Sequence, residues 1–289
     1  MNKTHQNKNI GYLYIVVTAI LWSTGGFLIK LIDAHPIFIA CGRSFVVAVV
    51  FLPWIKFKQI KWSKELVILA LSYTICLTTF VLSTRLTTAA NAIAIQYSSP
   101  LFLFLGLLIF KKKFEKTKLL PMIIIFFGIV AFLLEPSTGS NGIGNMLAVI
   151  SGITFALLIY YMGFDYGISS IGIIGLLNLI LFPVVAFFIP WKEAPWPKDY
   201  TSIAALVFLG VIQIGVAYML FYKGRRTVDA LNASIICLIE PVLNPLIVFL
   251  IIDEIPTIYA FIGAAFIIAG QVLNIFAEKR KSKLLLSES

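Results

Sequence analysis

Residues 228–252 combine the length of a membrane span with features that disrupt a continuous membrane helix. They read VDALNASIICLIEPVLNPLIVFLII, and about 20 apolar residues suffice to cross a bilayer. Glu240 lies near the middle, and Pro241 and Pro245 follow it one turn apart. Each proline removes a backbone N–H and clashes with the carbonyl four residues earlier. The stretch therefore predicts a membrane helix that breaks or bends near the bilayer midplane, beside a buried carboxyl group.

The same pattern occurs earlier in the chain. Residues 85–105, RLTTAANAIAIQYSSPLFLFL, align without a gap with residues 226–246, RTVDALNASIICLIEPVLNPL. Six of the identical pairs at this offset of 141 residues are Arg85 with Arg226, Ala89 with Ala230, Asn91 with Asn232, Ala92 with Ala233, Ile95 with Ile236 and Pro100 with Pro241. A weaker match places Gly11 on Gly144 and Trp22 on Phe155. These matches predict two halves built on one plan.

Composition indicates whether the surface of this protein faces water or lipid. Of its 289 residues, 60% are hydrophobic and 12% charged, and the mean hydropathy is +0.98, which leaves too few charges to cover a soluble globule. The formal net charge of +10 comes from lysines and arginines in short loops between apolar segments. A basic face for nucleic acid needs a different distribution, so we expect a multi-pass membrane protein that binds no nucleic acid.

Ten apolar runs can be counted. They cover roughly residues 10–32, 36–55, 65–84, 88–110, 118–135, 143–163, 168–189, 202–222, 228–252 and 255–277. Each has the length of a membrane helix, and none alternates with the period of two that a β-barrel strand requires. We therefore predict an all-α integral membrane protein with ten transmembrane helices. Because five is odd, two homologous halves, residues 1–138 and 139–289, must form inverted five-helix repeats.

The distribution of basic residues predicts the orientation. Most of the 23 lysines and arginines fall in the connectors that are cytoplasmic if the amino terminus is cytoplasmic. Short loops rich in lysine and arginine stay on the cytoplasmic side of a membrane. Both termini are therefore predicted to be cytoplasmic.

Several residues together make the chain resemble the drug/metabolite transporter superfamily, EamA type. They are Trp22 and Ser23 in the first span, Arg43 in the second, Glu240 and Pro241 in the ninth, Asp253 and Glu254 before the tenth, and Gly263 and Gly270 within it. The resemblance covers nearly the whole chain. It implies a ten-helix carrier of the bacterial cytoplasmic membrane, often an exporter of amino acids or other small metabolites. It also implies a central cavity lined mainly by spans 1, 3, 4, 6, 8 and 9.

Two ionisable side chains lie within the predicted spans at depth. A charge at the centre of a membrane helix costs roughly 2.5–3.5 kcal/mol, so such residues are candidates for function. Glu240 is about 18 Å from either end of its span, and we expect it to be a proton site or a contact for a cationic part of the substrate. Arg43 is about 10 Å deep, and a structural or gating role is expected for it, as for Pro100, Pro241 and Pro245. No cationic side chain is predicted at the depth of Glu240.

The uncharged candidates fall on helices that the resemblance assigns to the cavity. They are Trp22, Ser23, Gln96, Tyr97, Ser98, Ser99, Tyr218, Tyr222 and Asn244. Such a set suits a substrate with polar and flat apolar parts. Serine, asparagine and other small residues also serve as packing contacts between membrane helices, and that alternative stays open for each.

Other classes of membrane protein fit less well. A channel usually presents a ring of like residues, but the repeat partner of Glu240 is Ser99. A membrane enzyme needs a nucleophile, paired acids or a metal cluster, and no such motif is present in the sequence. We expect a secondary active transporter with no cofactor and no bound metal, whose partners are a small-molecule substrate, the lipid bilayer and a coupling proton. A passive facilitator is the alternative, and assembly as a homodimer is left open.

The orientation can be tested by cysteine labelling. We expect a cysteine at Ser140 to react with an impermeant thiol reagent added to intact cells, and a cysteine at Ser282 to react only after permeabilisation. Labelling of the Ser282 position in intact cells would contradict both the orientation and the inverted repeat.

Overall fold

The computed structural model describes residues 2–87, 89–111, 116–134, 142–192, 197–252 and 258–287. Within these ranges the regular structure is helical. The α-helices are α1 (Asn2–Trp22), α2 (Gly25–Leu31), α3 (Pro36–Phe51), α4 (Lys64–Leu86), α5 (Ala89–Gln96), α6 (Ser99–Lys111), α7 (Lys116–Leu133), α8 (Gly142–Tyr161), α9 (Ser170–Ala186), α10 (Tyr200–Phe208), α11 (Ala217–Arg225), α12 (Ala230–Cys237), α13 (Ile239–Ile252) and α14 (Ile258–Ser287). Short 3₁₀ turns follow α3, and a π-helix, Leu209–Val216, joins α10 to α11.

Helices occupy all ten apolar runs, which confirms the predicted fold class. In the described ranges six helical stretches are long and apolar enough to cross a membrane, and three shorter apolar helices accompany them. Four spans consist of more than one helix: α1 with α2, α5 with α6, α10 with α11 through the π-helix, and α12 with α13. The predicted boundary between residues 138 and 139, and Ser140, Asp253 and Glu254, lie outside the described residues.

Helix breaks are present in spans 4 and 9, the two spans that the repeat alignment matches, and the break in span 9 was predicted. The first separates α5 from α6 at Tyr97 and Ser98, and the second separates α12 from α13 at Leu238. Each break begins three residues before the repeat-related proline, Pro100 or Pro241, so each proline lies in the first turn of the helix that follows. A proline is tolerated there because its missing N–H would have no intrahelical acceptor.

The second proline of span 9 lies inside a continuous helix. The backbone of α13 continues in helical conformation through Pro245, to Ile252. The break therefore falls before Pro241 and is not repeated one turn later. A single break near the middle of this span agrees with the expected break or bend beside Glu240.

Span 1 contains a break that the sequence analysis did not predict. The α1 helix ends at Trp22, and α2 begins at Gly25. The Asn244 side chain of α13 donates to the Ser23 carbonyl over 3.2 Å, which satisfies a backbone group freed at this break. Irregular backbone within a membrane needs such a partner from the protein.

Polar side chains fix where several helices begin. The Asp199 carboxylate accepts from the Ser202 N–H (2.7 Å) at the start of α10, and the Asp229 carboxylate accepts from the Asn232 N–H (2.9 Å) at the start of α12. Ser169 caps α9 in the same way. These residues satisfy N–H groups that the first turn of a helix leaves unpaired.

Helix packing follows the two-fold relation between the halves. Span 3 packs on span 6 (α4 on α8), and its repeat-related counterpart is the packing of span 8 on span 1 (α11 on α1). Span 2 packs on span 7 (α3 on α9), and span 5 packs on span 10 (α7 on α14). In each of these pairs the two spans are repeat partners, so the two-fold relation maps the pair onto itself. This pattern is what an inverted repeat about an axis in the membrane plane produces.

The repeat also appears in individual contacts between helices. A Cβ atom added at Gly11 would lie 3.1 Å from Val228, and one added at Gly144 would lie 3.0 Å from Thr87. Val228 and Thr87 are related by the same offset of 141 residues as the aligned prolines. Equivalent residues therefore make equivalent close approaches in the two halves.

The surface of the bundle is apolar. Phe187 is 83% exposed and Phe110 82%, and many other leucines, isoleucines and phenylalanines are exposed along the spans. A patch of this extent on a soluble monomer would promote association. In a membrane these side chains face lipid tails, and the polar side chains are left for the interior.

The α7–α14 crossing depends on the absence of a side chain at Gly128. An added Cβ would lie 2.9 Å from the Gly263 carbonyl oxygen and 2.9 Å from Ile267 Cγ1. We expect Gly128→Ala to lower the free energy of unfolding by about 1–3 kcal/mol, because the backbones must separate. The measurement is thermal unfolding of the purified protein in detergent.

The matched control is Gly106→Ala in α6, where an added Cβ would meet nothing within 4 Å. That variant should be as stable as the parent or slightly more stable, because alanine favours helix. Equal stability of the Gly128 and Gly106 variants would contradict the close-packing account.

Candidate functional site

The two broken spans meet through one hydrogen bond. Tyr97, at the break between α5 and α6, donates its hydroxyl to a carboxylate oxygen of Glu240, which follows the break between α12 and α13. Tyr97 is 1% exposed and Glu240 is 4% exposed. The bond therefore joins the repeat-related breaks of the two halves, inside the protein.

A small cavity lies beside this bond. Its polar lining is Arg43, Gln96, Gln213 and Glu240, its aromatic lining is Trp22, Phe80, Tyr97, Phe155 and Tyr218, and Leu77 and Ile214 complete it. These residues belong to spans 1, 3, 4, 6, 8 and 9, as the resemblance implies, and also to span 2. The volume is about 30 Å³. Ligand pockets usually measure about 300–1,000 Å³, so the centre is closed around its polar side chains in this conformation.

Aromatic rings form one wall of the cavity. The Trp22 ring contacts those of Tyr218 (4.7 Å between centroids), Phe221 (5.2 Å) and Phe155 (5.6 Å). Trp22 and Phe155 are the pair that the repeat alignment matches, and they pack against each other. Aromatic rings at these separations attract one another and form a rigid apolar surface.

Arg43 lies at the same cavity as Glu240, which differs from the expectation of no cation at that depth. It is 2% exposed, and its Nη2 donates to the Leu77 carbonyl over 2.9 Å. The long side chain extends inward from α3 to this carbonyl, whereas the depth estimate considered only its backbone. Among the described residues no ion pair joins Arg43 to Glu240.

Gln96 lines the cavity and also holds the broken span in place. Its Nε2 donates to Ser151 Oγ over 2.8 Å and lies 3.6 Å from Cys76 Sγ. Ser151 belongs to α8 and Cys76 to α4, so this amide attaches α5 to two neighbouring helices.

The other predicted site residues lie away from the cavity lining. The Ser23 hydroxyl donates to a carbonyl of its own helix (2.8 Å), and Asn244 bonds the Ser23 carbonyl. The Tyr222 hydroxyl donates to the Phe164 carbonyl over 2.9 Å. Ser99 is fully buried. Packing contacts of this kind are the alternative that the sequence left open for them.

Gln213 is a cavity residue that the sequence analysis missed. It is 5% exposed and lies on the π-helix of span 8, a rare geometry that occurs often at functional sites. Its Nε2 would be 2.5 Å from a Cβ added at Gly25, so its amide packs against the span 1 break. A lone amide within an apolar span is the same signal that singled out Gln96, and it could have identified Gln213.

At one face of the bundle, Asp165 connects three loops. Its carboxylate accepts from Lys61 Nζ over 2.9 Å, and Arg226 Nη1 lies 3.4 Å from it. The hydrogen bond from Lys61, and then the Gly167 N–H, hold the pKa of Asp165 below its usual range. The carboxylate is thus ionised at neutral pH. We name Lys61, Asp165 and Arg226 the inner latch, because the predicted orientation turns this face toward the cytoplasm.

At the opposite face, the repeat partner of Arg226 makes the corresponding contact. Arg85 donates to the carbonyls of Ile32 (3.4 Å) and Ala34 (3.5 Å) in the connector between spans 1 and 2. We name Arg85 and these two carbonyls the outer latch. Repeat-related arginines therefore connect repeat-related loops at the two faces, once through backbone carbonyls and once through a carboxylate.

Comparison with known proteins places the chain among transporters. The model of the EamA-like transporter family matches residues 9–134 and 142–276, one match for each half. Two relatives named "uncharacterized transporter", from Clostridium kluyveri and Archaeoglobus fulgidus, are each 24% identical. The first alignment covers 95% of this chain and 96% of the relative, and the second covers 91% and 96%. The uncharacterized transporter YxxF of Bacillus subtilis is also 24% identical, over 96% of this chain and 94% of its own.

The fold has a counterpart among solved structures. One protein crystal structure superposes with a TM-score of 0.75 over 95% of this chain and 98% of the other. Its sequence is 17% identical, so the likeness concerns the fold.

Proposed function

The chain belongs to the EamA-like transporter family, and we propose that it is a secondary carrier that exports amino acids or related small metabolites by alternating access. Transport by a multi-pass membrane protein follows from the family itself. What we propose beyond the family is the substrate class, the energy source, the mechanism and a location in the bacterial cytoplasmic membrane. The observation that carries it is the bond between Tyr97 and Glu240 at the meeting point of the two broken spans.

Glu240 is suited to couple transport to a proton. It is buried, and its hydrogen-bond partner is a hydroxyl, not a cation. A carboxyl in such a place can exist with or without its proton, and the Tyr97 hydroxyl can rotate to donate to the charged form or accept from the neutral form. Protonation would therefore change a contact that joins the two halves, which is what coupling requires.

The latches support an alternating-access cycle. A carrier must open one face while the other remains closed, and in an inverted repeat the same contact recurs at both faces. The inner and outer latches are such a pair, and both are formed here, together with a closed central cavity. We propose that this conformation is an occluded intermediate and that each latch breaks when its own face opens.

The alternatives fit these observations less well. A passive channel needs a continuous pathway lined by like groups, whereas here the repeat partner of Glu240 is Ser99. A facilitator without coupling would not need a buried carboxyl at the junction of the halves. The prediction for Glu240 separates these two possibilities from the proposed carrier.

The coupling role of Glu240 can be tested with Glu240→Gln, which resembles the protonated form at nearly the same volume. We expect the variant to exchange labelled amino acid across proteoliposomes without a gradient, but to lose accumulation driven by a pH difference. The substrate for the assay comes from a growth screen of overexpressing cells against toxic amino acid analogues.

The matched control is Ser99→Ala at the repeat-related position. The Ser99 hydroxyl is buried without a hydrogen-bond partner among the described residues, so its removal should leave accumulation unchanged. If Glu240→Gln accumulates substrate like the parent, with the same pH dependence, Glu240 is not the coupling site.

The inner latch can be tested with Asp165→Asn, which removes both ion pairs. In the parent, the lowered pKa of Asp165 means that its carboxylate is charged and its ion pairs are formed above the usual pKa of an aspartate. The ion pairs are lost only as the pH falls through the lowered value. Because exposed ion pairs contribute little to stability, we expect only about a two- to fivefold rise in opening at this face. The measurement is the labelling rate of a cysteine at Ala230 in inverted vesicles, with the native cysteines replaced.

The control for this experiment is Asp199→Asn at the start of α10. Asparagine caps a helix as well as aspartate, so the labelling rate should stay at the parental value. An unchanged rate in Asp165→Asn would show that the ion pairs do not hold this face closed.

A further inference from the structure

Three residues at the central cavity have polar atoms that are buried without a hydrogen-bond partner. Among the described residues these atoms are Trp22 Nε1, Arg43 Nε and Gln213 Oε1. Each residue is less than one-tenth exposed. Buried polar groups are nearly always paired, and a set of unpaired ones around one cavity indicates a ligand that pairs them.

The chemistry of these atoms defines the complementary ligand. Arg43 Nε–H and Trp22 Nε1–H are donors, whereas Gln213 Oε1 is an acceptor. Two donors, one of them charged, match the two oxygens of a carboxylate. The acceptor matches an N–H next to it. The Nη2 of Arg43 donates to the Leu77 carbonyl, whereas its Nε has no partner among the described residues, and Arg43 lines the cavity.

We propose that Arg43 and Trp22 hold the carboxylate of the transported molecule and that Gln213 accepts from its amino group, while Glu240 carries the proton. The assignment rests on the proposed function, since it takes the cavity as the transport site. It gives the cavity residues different tasks: Glu240 already has Tyr97 as its partner, whereas the three unpaired atoms have none. The aromatic rings of Phe155 and Tyr218 then face the apolar part of the substrate.

The local backbone explains why Gln213 can serve this role. The π-helix places it opposite the break between α1 and α2, and Gly25 provides the space for its amide. An alanine at Gly25 would bring a Cβ to 2.5 Å from Nε2, so the amide would have to move. Since the atom that must move is the end of a flexible side chain, Gly25→Ala shifts Gln213 without disrupting the helix.

The test is calorimetric titration of the full-length protein in lipid nanodiscs with three probes on one carbon skeleton. Phenylalanine has both groups, 3-phenylpropionate lacks the amino group and phenethylamine lacks the carboxylate. We expect phenylalanine to bind best, 3-phenylpropionate about tenfold or more weakly, and phenethylamine not to bind measurably, because each missing group loses a charge-assisted hydrogen bond.

The variants assign each group to its residue. Gln213→Leu should weaken phenylalanine about tenfold and leave 3-phenylpropionate unchanged, and Gly25→Ala should produce the same selective loss to a smaller extent. Arg43→Lys keeps a cation for the Leu77 carbonyl but lacks the Nε–H, and it should weaken both carboxylates about tenfold. The matched control is Gln271→Leu, whose amide bonds the Ile235 carbonyl over 2.9 Å in α14, and which should bind all probes like the parent.

Two outcomes would overturn the assignment. One is that neither carboxylate binds, or that Arg43→Lys binds both as tightly as the parent does. The other is that Glu240→Gln, and not Gln213→Leu, removes the preference for phenylalanine over 3-phenylpropionate. These results are distinct from failure of the proposed function, because a protein with the expected binding pattern but no proton-driven accumulation would retain the subsite and lose only the coupling.

Discussion

A transmembrane helix that breaks within the bilayer must satisfy its freed polar groups within the protein, and the broken spans 1, 4 and 9 accordingly meet in the interior. Spans 4 and 9 break at equivalent positions, and the breaks face one another. The Tyr97 hydroxyl and the Glu240 carboxylate connect them directly. The Asn244 side chain, also in span 9, donates to the Ser23 carbonyl at the break in span 1. Because lipid offers no hydrogen bonds, the polar side chains gather where the backbone is irregular, and a central polar site results.

The two-fold relation sets the arrangement of the helices, whereas the side chains of the candidate site differ between the two halves. Helix pairs and glycine contacts recur in both halves, and the arginine latches recur at both faces. Glu240, however, has only Ser99 as its counterpart, and the outer latch uses carbonyls where the inner one uses Asp165. A symmetric scaffold can adopt two equivalent conformations, since the same packing is available in each direction. In the proposed transport cycle, unequal side chains on that scaffold would allow a proton or a membrane face to favour one of them.

Much of this architecture could be predicted because it depends on local properties of the chain. Hydropathy and span length define ten helices, the constant spacing of 141 residues defines the repeat, and Pro100 and Pro241 mark the breaks, since a proline affects its own turn of helix. The central position of Glu240 in its span was also apparent.

The tertiary structure decided which polar side chains meet. Tyr97 and Glu240 are 143 residues apart, and only the crossing of their two spans brings them into contact. Arg43 reaches the cavity because its side chain extends inward from α3, and Gln213 faces it because of a π-helix that hydropathy does not reveal. Ser23, Tyr222 and Asn244 carry the same sequence signal as the cavity residues but bond to backbone carbonyls elsewhere. The sequence alone determined the membrane fold, its repeat and the breaks beside the repeat-related prolines, since these follow from each segment's own composition. The rotation and tilt of the packed helices, which no single segment specifies, determined which side chains line the cavity.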